Sequence, residues 1–374
     1  MTAYVPPPGG AWERVAPAEA GFDPARLAAA VAFAETHNSD WPASQLAPDG
    51  RMWMNATMNE PLPWGAPLGP VHPRGGPAGL VLRGGRIAAS WGDLERVDQT
   101  YSVAKSYLAI LTGLALARGL MRSLDAPVAE TAIDDDFASA QNRAITWRHL
   151  LQLASEWQGT LFDRPDTVDH HRVVGLTPQE APKGTPRALK PPGAHFEYND
   201  VRVNRLSLSL MQLFDEALPD VLDREVMGPI GASDTWRWEG YRNSAVEVRG
   251  RNLVSVPGGT HWGGGISISA LDHARVGLLV ARDGMWGERR VLPEGWVREL
   301  RRPSPLNPGY GLLWWLNTSG RQFPAAPESS FFALGAGNHV IWIEPEHDLV
   351  VVLRWILKTA VPGFAERLMA ALAR

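Results

Sequence analysis

The sequence predicts an α/β protein of the α+β kind, with a mainly antiparallel sheet flanked by helices, and three observations carry that expectation. Two short strands, AGLVLR and RIAASW, meet at Gly84-Gly85 between residues 78 and 91, a strong hairpin signal. Near the end of the chain HVIWIE and LVVVLRW flank a turn from Pro345 to Asp348. Between these strand regions the pattern is helical, with Val103, Tyr107, Ile110, Leu111 and Leu114 recurring at three- and four-residue steps until Gly119 stops the run. Strands at both ends and helices between them point to one sheet assembled from both termini around a helical insertion.

Taken in order, the Pro- and Gly-rich start reads as an extended arm. Asp23-Pro24 then supplies an N-cap and a first-turn proline for a helix with Leu27, Val31 and Ala34 on one face. Residues 40–78 carry Pro, Gly and Trp without a period and read as irregular. The hairpin follows, then a turn at Val97-Asp-Gln-Thr and the apolar helix from Ser102. Thr146 caps a helix over TWRHLLQLAS, and Asp200 to Phe214 form another. Residues 156–197, rich in Pro, Gly and charge, read as a loop on the surface. A helix from Pro362 to Ala373 closes the chain. Residues 1–374 thus read as a single domain, with an α/β part near 1–100 and 255–374 and a helical part near 101–254.

Composition narrows the function classes. The 374 residues are 45% hydrophobic and 20% charged, enough for a sizeable core, and Gly 37 and Pro 31 argue against a helical bundle. A net charge of -4 with no basic run gives no reason to expect nucleic acid. The absence of cysteine removes disulfides, thiolate nucleophiles and cysteine zinc sites together. The start has no basic n-region or apolar h-region, and the longest apolar stretch, Leu108 to Ala117, is about half a membrane span. A cytoplasmic enzyme acting on a small molecule, without a membrane or nucleic-acid partner, is the expectation; the oligomeric state is open.

Several catalytic signatures are missing: there is no G-x-S-x-G, H-E-x-x-H, Walker loop or G-x-G-x-x-G. Asp163, Asp166, Asp169, His170 and His171 resemble a metal cluster on paper, but a solvated loop is the favoured reading. One signal stands out. Ser102-Val103-Ala104-Lys105 opens the apolar helix, in a chain with only four lysines. Residues three apart share a helix face, so the amine reaches the hydroxyl. Burial and the positive helix end both disfavour an ammonium there, and a partly neutral lysine can take the serine proton. The amide at the helix start is available to an oxyanion. The bland alternative is an N-cap serine beside a surface lysine.

TYSVAKSYLAILTGLALARGLMRSLDAPV resembles the nucleophile helix and following turn of the serine β-lactamases and penicillin-binding proteins, in particular the class C-like branch with its esterases and 6-aminohexanoate-dimer hydrolases. ITWRHLLQLASEWQG, the glycine-rich GGTHWGGGISISALDHARVG, YGLLWW and the final strands extend the likeness from about residue 78 to the C-terminus. The resemblance implies the serine β-lactamase-like fold, a nucleophilic Ser102 with Lys105, and no metal or organic cofactor. It places Tyr198 of FEYND at the family's second motif as the proton-handling tyrosine. There Asp200 stands where the family has Asn, and neighbouring Asn199 is a candidate for the lost amide contact. The third motif falls on Ala333-Leu334-Gly335-Ala336, where its usual cation is missing. By that alignment the Ala336 amide is the second oxyanion donor and Gly335 lets substrate approach. Trp262, Trp314 and Trp315 are candidates for an apolar wall. The expected function is hydrolysis of an uncharged ester or amide rather than a β-lactam. A β-lactamase or D-amino-acid peptidase is the alternative within the class; a penicillin-recognising protein that does not turn over, or a relative whose chemistry is lost, are the alternatives outside it.

Overall fold

The computed structural model describes residues 4–9, 12–61, 64–174, 180–258 and 265–373. The hairpin strands form as expected: β1 (Ala78–Arg83) and β2 (Arg86–Trp91) turn at Gly84-Gly85, both with positive φ. After the two-residue strands β3 (Asp98–Gln99), β4 (Ser267–Ile268) and β5 (Trp315–Leu316) come β6 (Phe331–Gly335), β7 (His339–Glu344) and β8 (Leu349–Arg354). The main sheet has the order β5-β6-β7-β8-β1-β2 and every pairing in it is antiparallel. Its join is β8 against β1, from Ala78↔Arg354 to Arg83↔Leu349, so the two ends of the chain do build one sheet.

The alternation of side chains sorts this sheet into two faces. Leu80, Leu82, Val350 and Val352 pack with Ala270, Ala274 and Leu278 of helix α5 (Ala270–Ala281). Val81, Val351 and Leu353 join the larger core that holds Leu27, Ala30 and Ala34 of α1 (Pro24–Thr36) and Phe364 and Leu368 of α6 (Val361–Ala370). Asp23 caps α1 by accepting from the Arg26 amide. Every residue of β7 and β8 is buried, the mark of strands covered on both faces.

Between the two sheet-forming segments lie α2 (Val103–Ala117), α3 (Trp147–Leu151) and α4 (Asp200–Phe214). Helix α2 is buried on every side from Val103 to Ala115 and packs against α4, β6 and β7. Helix α3 is shorter than its sequence pattern suggests, although Thr146 and His149 make a reciprocal capping box. One expectation fails here. Asp98–Gln99, read as part of a turn, pairs with Ser267–Ile268 and so ties the entry of α2 to a distant part of the chain.

Candidate active site

Ser102 sits where β3 gives way to α2. The Thr100 amide donates to the Ile266 carbonyl at 2.9 Å, so pairing with the β4 region continues to within two residues of the serine. Tyr101 then adopts φ 50°, an uncommon value for a bulky residue, while fully buried. A Cβ on Gly265 would lie 2.5 Å from the Tyr101 nitrogen, so only glycine permits this approach. Ser102 stands at the N-cap position with helical angles, but its hydroxyl caps no helix amide. Ser106, one turn on, donates to the Leu313 carbonyl at 2.8 Å and pins the helix.

Lys105 is 1% exposed, which removes the surface-lysine reading. Its Nζ donates to Ser102 Oγ at 2.9 Å and lies 2.6 Å from Asp200 Oδ1. Asp200, the first residue of α4, has no solvent exposure; its amide donates to Asp169 Oδ2 at 2.8 Å and its Oδ2 lies 2.7 Å from Arg172. The Lys105 amine is thus shared between the Asp200 carboxylate and the Ser102 hydroxyl. Lys105 is therefore arranged as a hydrogen-bond donor to the serine oxygen.

Tyr198 is 5% exposed and shares this cluster: Lys105 Nζ lies 4.7 Å from its ring centroid, and Trp315 stacks beside it at 6.0 Å and 21°. Ser102, Lys105, Tyr198 and Asp200 are thus brought together. Asn199 is not available to a substrate. It caps α4 by accepting from the Arg202 amide at 3.2 Å, and its amide group donates to the Asp166 carbonyl at 2.8 Å, with no exposure at all. Trp262 lies outside the described residues.

The end of β6 closes the other side. A Cβ on Gly335 would fall 2.2 Å from the Thr100 carbonyl oxygen and 3.2 Å from the Val103 nitrogen. Glycine is required here so that the strand can press on the turn at Ser102. Ala336 follows at that same strand end. Ala333 is fully buried, and Arg354 cannot stand in for the missing cation: it is 2% exposed and donates to His339, Ile268 and Asp98. Trp314 packs in the core against Phe331, whereas Trp315 lines a cleft of about 380 Å³ with Phe196, His195, Pro308 and exposed Arg321. Through Trp315 this cleft adjoins Tyr198.

The stretch read as a solvated loop is the largest correction. Asp166, Asp169 and His170 are each at most 2% exposed. Arg202 meets Glu156, Glu197 and Asp166 at 2.8, 3.1 and 3.0 Å, and Arg187 bridges Glu156 and Glu197 at 2.6 and 2.9 Å. Burial raises the Glu156 carboxyl, but the hydrogen bond from Arg187 and the charge of Arg202 outweigh it and bring it down to about 2. Asp166 is lowered in the same way, burial being overcome by His170 and Arg202. Burial opposes the charge of Arg172, yet Asp200 and Asp169 hold it above its ordinary value. Nothing periodic marks these residues in the sequence; the only signal is an excess of acidic and arginine side chains around the second motif. Among the described residues no group of three or more His, Asp or Glu forms a metal site.

Residues 72–371 match the family model described as Beta-lactamase. No curated sequence matches the chain. Among solved structures it is similar to a penicillin-binding protein homologue from Caulobacter crescentus, at 14% identity over 94% of this chain and 99% of that one, with a TM-score of 0.59. It is also similar to simvastatin synthase from Aspergillus terreus (16% identity, 79% and 93% covered, TM-score 0.55) and to EstCE1, a hydrolase with promiscuous acyltransferase activity (16%, 80% and 93%, 0.54). At such identities the likeness concerns the fold. No described helix is long and apolar enough to cross a membrane. The family match runs from just before the opening hairpin into the last helix, and the chain belongs to the β-lactamase family.

Proposed function

We propose that the protein is a serine hydrolase that cleaves an ester or amide of a small, uncharged substrate through an acyl-enzyme on Ser102. The observation that carries this reading is the buried Lys105, 2.9 Å from a serine hydroxyl that has no capping role. A buried lysine is costly unless its contacts repay it, and here they aim it at one oxygen. In the first step Ser102 Oγ bonds to the substrate carbonyl carbon while its proton passes to the Tyr198–Lys105 pair. The carbonyl electrons move to oxygen, where the Ser102 and Ala336 amides receive the charge. Collapse breaks the bond to the alcohol or amine, which leaves with that proton. Water then adds to the acyl carbon, the acid departs and Ser102 regains its hydrogen.

An uncharged substrate is favoured because Ala333 stands where the family's cation would be, and because Lys105 and Arg172 are both engaged by Asp200. EstCE1, described as a hydrolase with promiscuous acyltransferase activity, supports acyl-transfer chemistry on this fold. The test is steady-state hydrolysis of a short p-nitrophenyl ester, with quenched samples analysed for an acyl adduct. Turnover and an adduct in the wild type, both lost in Ser102→Ala, are expected. Hydrolysis by Ser102→Ala at the wild-type rate would refute the assignment, and an adduct that never turns over would make the protein a receptor rather than an enzyme.

A further inference from the structure

Arg172 has no counterpart in the motifs that led to Ser102, Lys105 and Tyr198, yet it reaches the same cluster. It comes from the segment following Asp166, and its side chain is 11% exposed. Its NH1 group lies 2.7 Å from Asp200 Oδ2, while Lys105 Nζ lies 2.6 Å from Asp200 Oδ1, so one carboxylate is shared between two cations. The guanidinium also stands 5.1 Å from the Tyr198 ring centroid, close to the 4.7 Å of Lys105 on the same ring. Asp169 fixes the arrangement from behind: its Oδ2 accepts from the Asp200 amide at 2.8 Å and lies 3.4 Å from Arg172, and its Oδ1 is 3.4 Å from Lys183.

We propose that Arg172 is a positioning residue of the active site, acting as the counter-charge that lets Asp200 occupy the second motif and hold Lys105 on Ser102. The proposal rests on the reading of Ser102 as nucleophile. An asparagine at position 200 needs no counter-ion. An aspartate with Lys105 as its only partner would draw that amine toward itself and away from the serine oxygen. Arg172 divides that carboxylate, one oxygen to each cation, so Lys105 keeps its second contact at 2.9 Å. It also gives Tyr198 a second cationic neighbour, and the third-motif strand, with Ala333 buried in it, supplies none. Asp200 and Arg172 are accordingly a unit, to be changed together or not at all.

Such a unit has a distinctive genetic signature. Rates are taken per active site, titrated with a fluorophosphonate on the intact chain, using a p-nitrophenyl ester. Arg172→Gln is expected to lower kcat about a hundredfold with KM within about threefold, and Asp200→Asn alone to lower it about tenfold or more. The double variant Arg172→Gln/Asp200→Asn is expected to regain at least about tenfold over Arg172→Gln, and Arg172→Lys to fall between wild type and Arg172→Gln. A residue that only stabilised the fold would change yield and Tm, not kcat per titrated site, and removing a second buried charge would not rescue it. If Arg172→Gln does not fold, the double variant and Arg172→Lys decide the matter. A double variant no faster than Arg172→Gln (or, where Arg172→Gln does not fold, slower than Asp200→Asn alone), or an Arg172→Gln enzyme with wild-type kcat, overturns the proposal while leaving Ser102 in place. A wild-type chain that takes no label at Ser102 overturns both.

Discussion

Helix α2 and the segment from Glu156 to Arg202 lie against the same site but are built on opposite principles. The helix is largely apolar and buried on every side from Val103 to Ala115, with the Lys105 amine set among its packed side chains. The described part of the segment is held by buried carboxylates and by guanidiniums that are buried, as in Arg202, or partly so, as in Arg187 and Arg172. In the helix, position comes from packing and each residue is set by its near neighbours. In the segment, position comes from charge pairs that close over tens of residues, and loss of one partner leaves another uncompensated. Changes at Lys105 in the first should therefore affect chemistry more than stability, and changes in the second the reverse, Arg172, Tyr198 and Asp200 excepted.

The largest effect is expected from the helix. Lys105→Ala should lower kcat on a p-nitrophenyl ester by three or more orders of magnitude, because groups acting as a unit fail together. Lys105→Arg should be nearly as damaging, since a guanidinium neither fits the 2.6 and 2.9 Å contacts nor gives up a proton. Melting curves of both should stay within several degrees of wild type, because Asp200 keeps Arg172 as partner. Near-normal activity in Lys105→Arg would remove lysine from the proton path. Tyr198→Phe should follow with a loss of about a hundred- to ten-thousandfold, read from the same assay.

For the segment the expected outcome is inverted. Glu156→Gln removes one carboxylate from between Arg187 and Arg202; Glu197 and Asp166 remain as partners, so the loss of its charge-assisted hydrogen bonds should cost about 1.5–3 kcal/mol, measured by urea unfolding. Its kcat per titrated site should change by less than about tenfold. An unchanged unfolding midpoint would mean that the network is ornamental. The same residues set the acid limit. Because Glu156 is lowered in the folded chain from 4.5 to about 2, its contribution is present above pH 4.5 and disappears as pH falls toward 2. Asp166, also lowered, acts in the same direction. Wild-type Tm should therefore fall steeply below pH 4.5, and Glu156→Gln should show a shallower decline.

This contrast explains what could be read in advance. The β1–β2 hairpin, the β7–β8 pair and α2 follow from local patterns, and Ser102 and Lys105 from a spacing of three on one helix. Tyr198 and Asp200 needed a resemblance, since nothing in FEYND states that it faces Lys105. Asp166, Asp169 and His170 read as solvent-facing in the sequence because charge in a Pro-containing stretch usually is. Their burial depends on partners as distant as Arg202, and no periodicity records an ion pair. The need for glycine at 335 is likewise invisible locally: the contact that forbids its Cβ is with Thr100, 235 positions earlier in the chain.

The smallest expected effect concerns substrate. With Ala333 at the third-motif position, nitrocefin should be a poorer substrate than a short p-nitrophenyl ester by about ten- to a hundredfold in kcat/KM, after correction for uncatalysed hydrolysis. Arg321, exposed at the cleft beside Trp315, is the residue to change if nitrocefin proves the better of the two.

The central claim is that the helix and the charged segment together serve one nucleophile, Ser102. Intact-mass and peptide analysis after treatment with a fluorophosphonate tests it most directly. The account predicts one phosphonyl group per chain, located on Ser102, and no labelling in Ser102→Ala. Labelling of Ser102→Ala at the wild-type level, or a modified peptide that lacks residue 102, would contradict it.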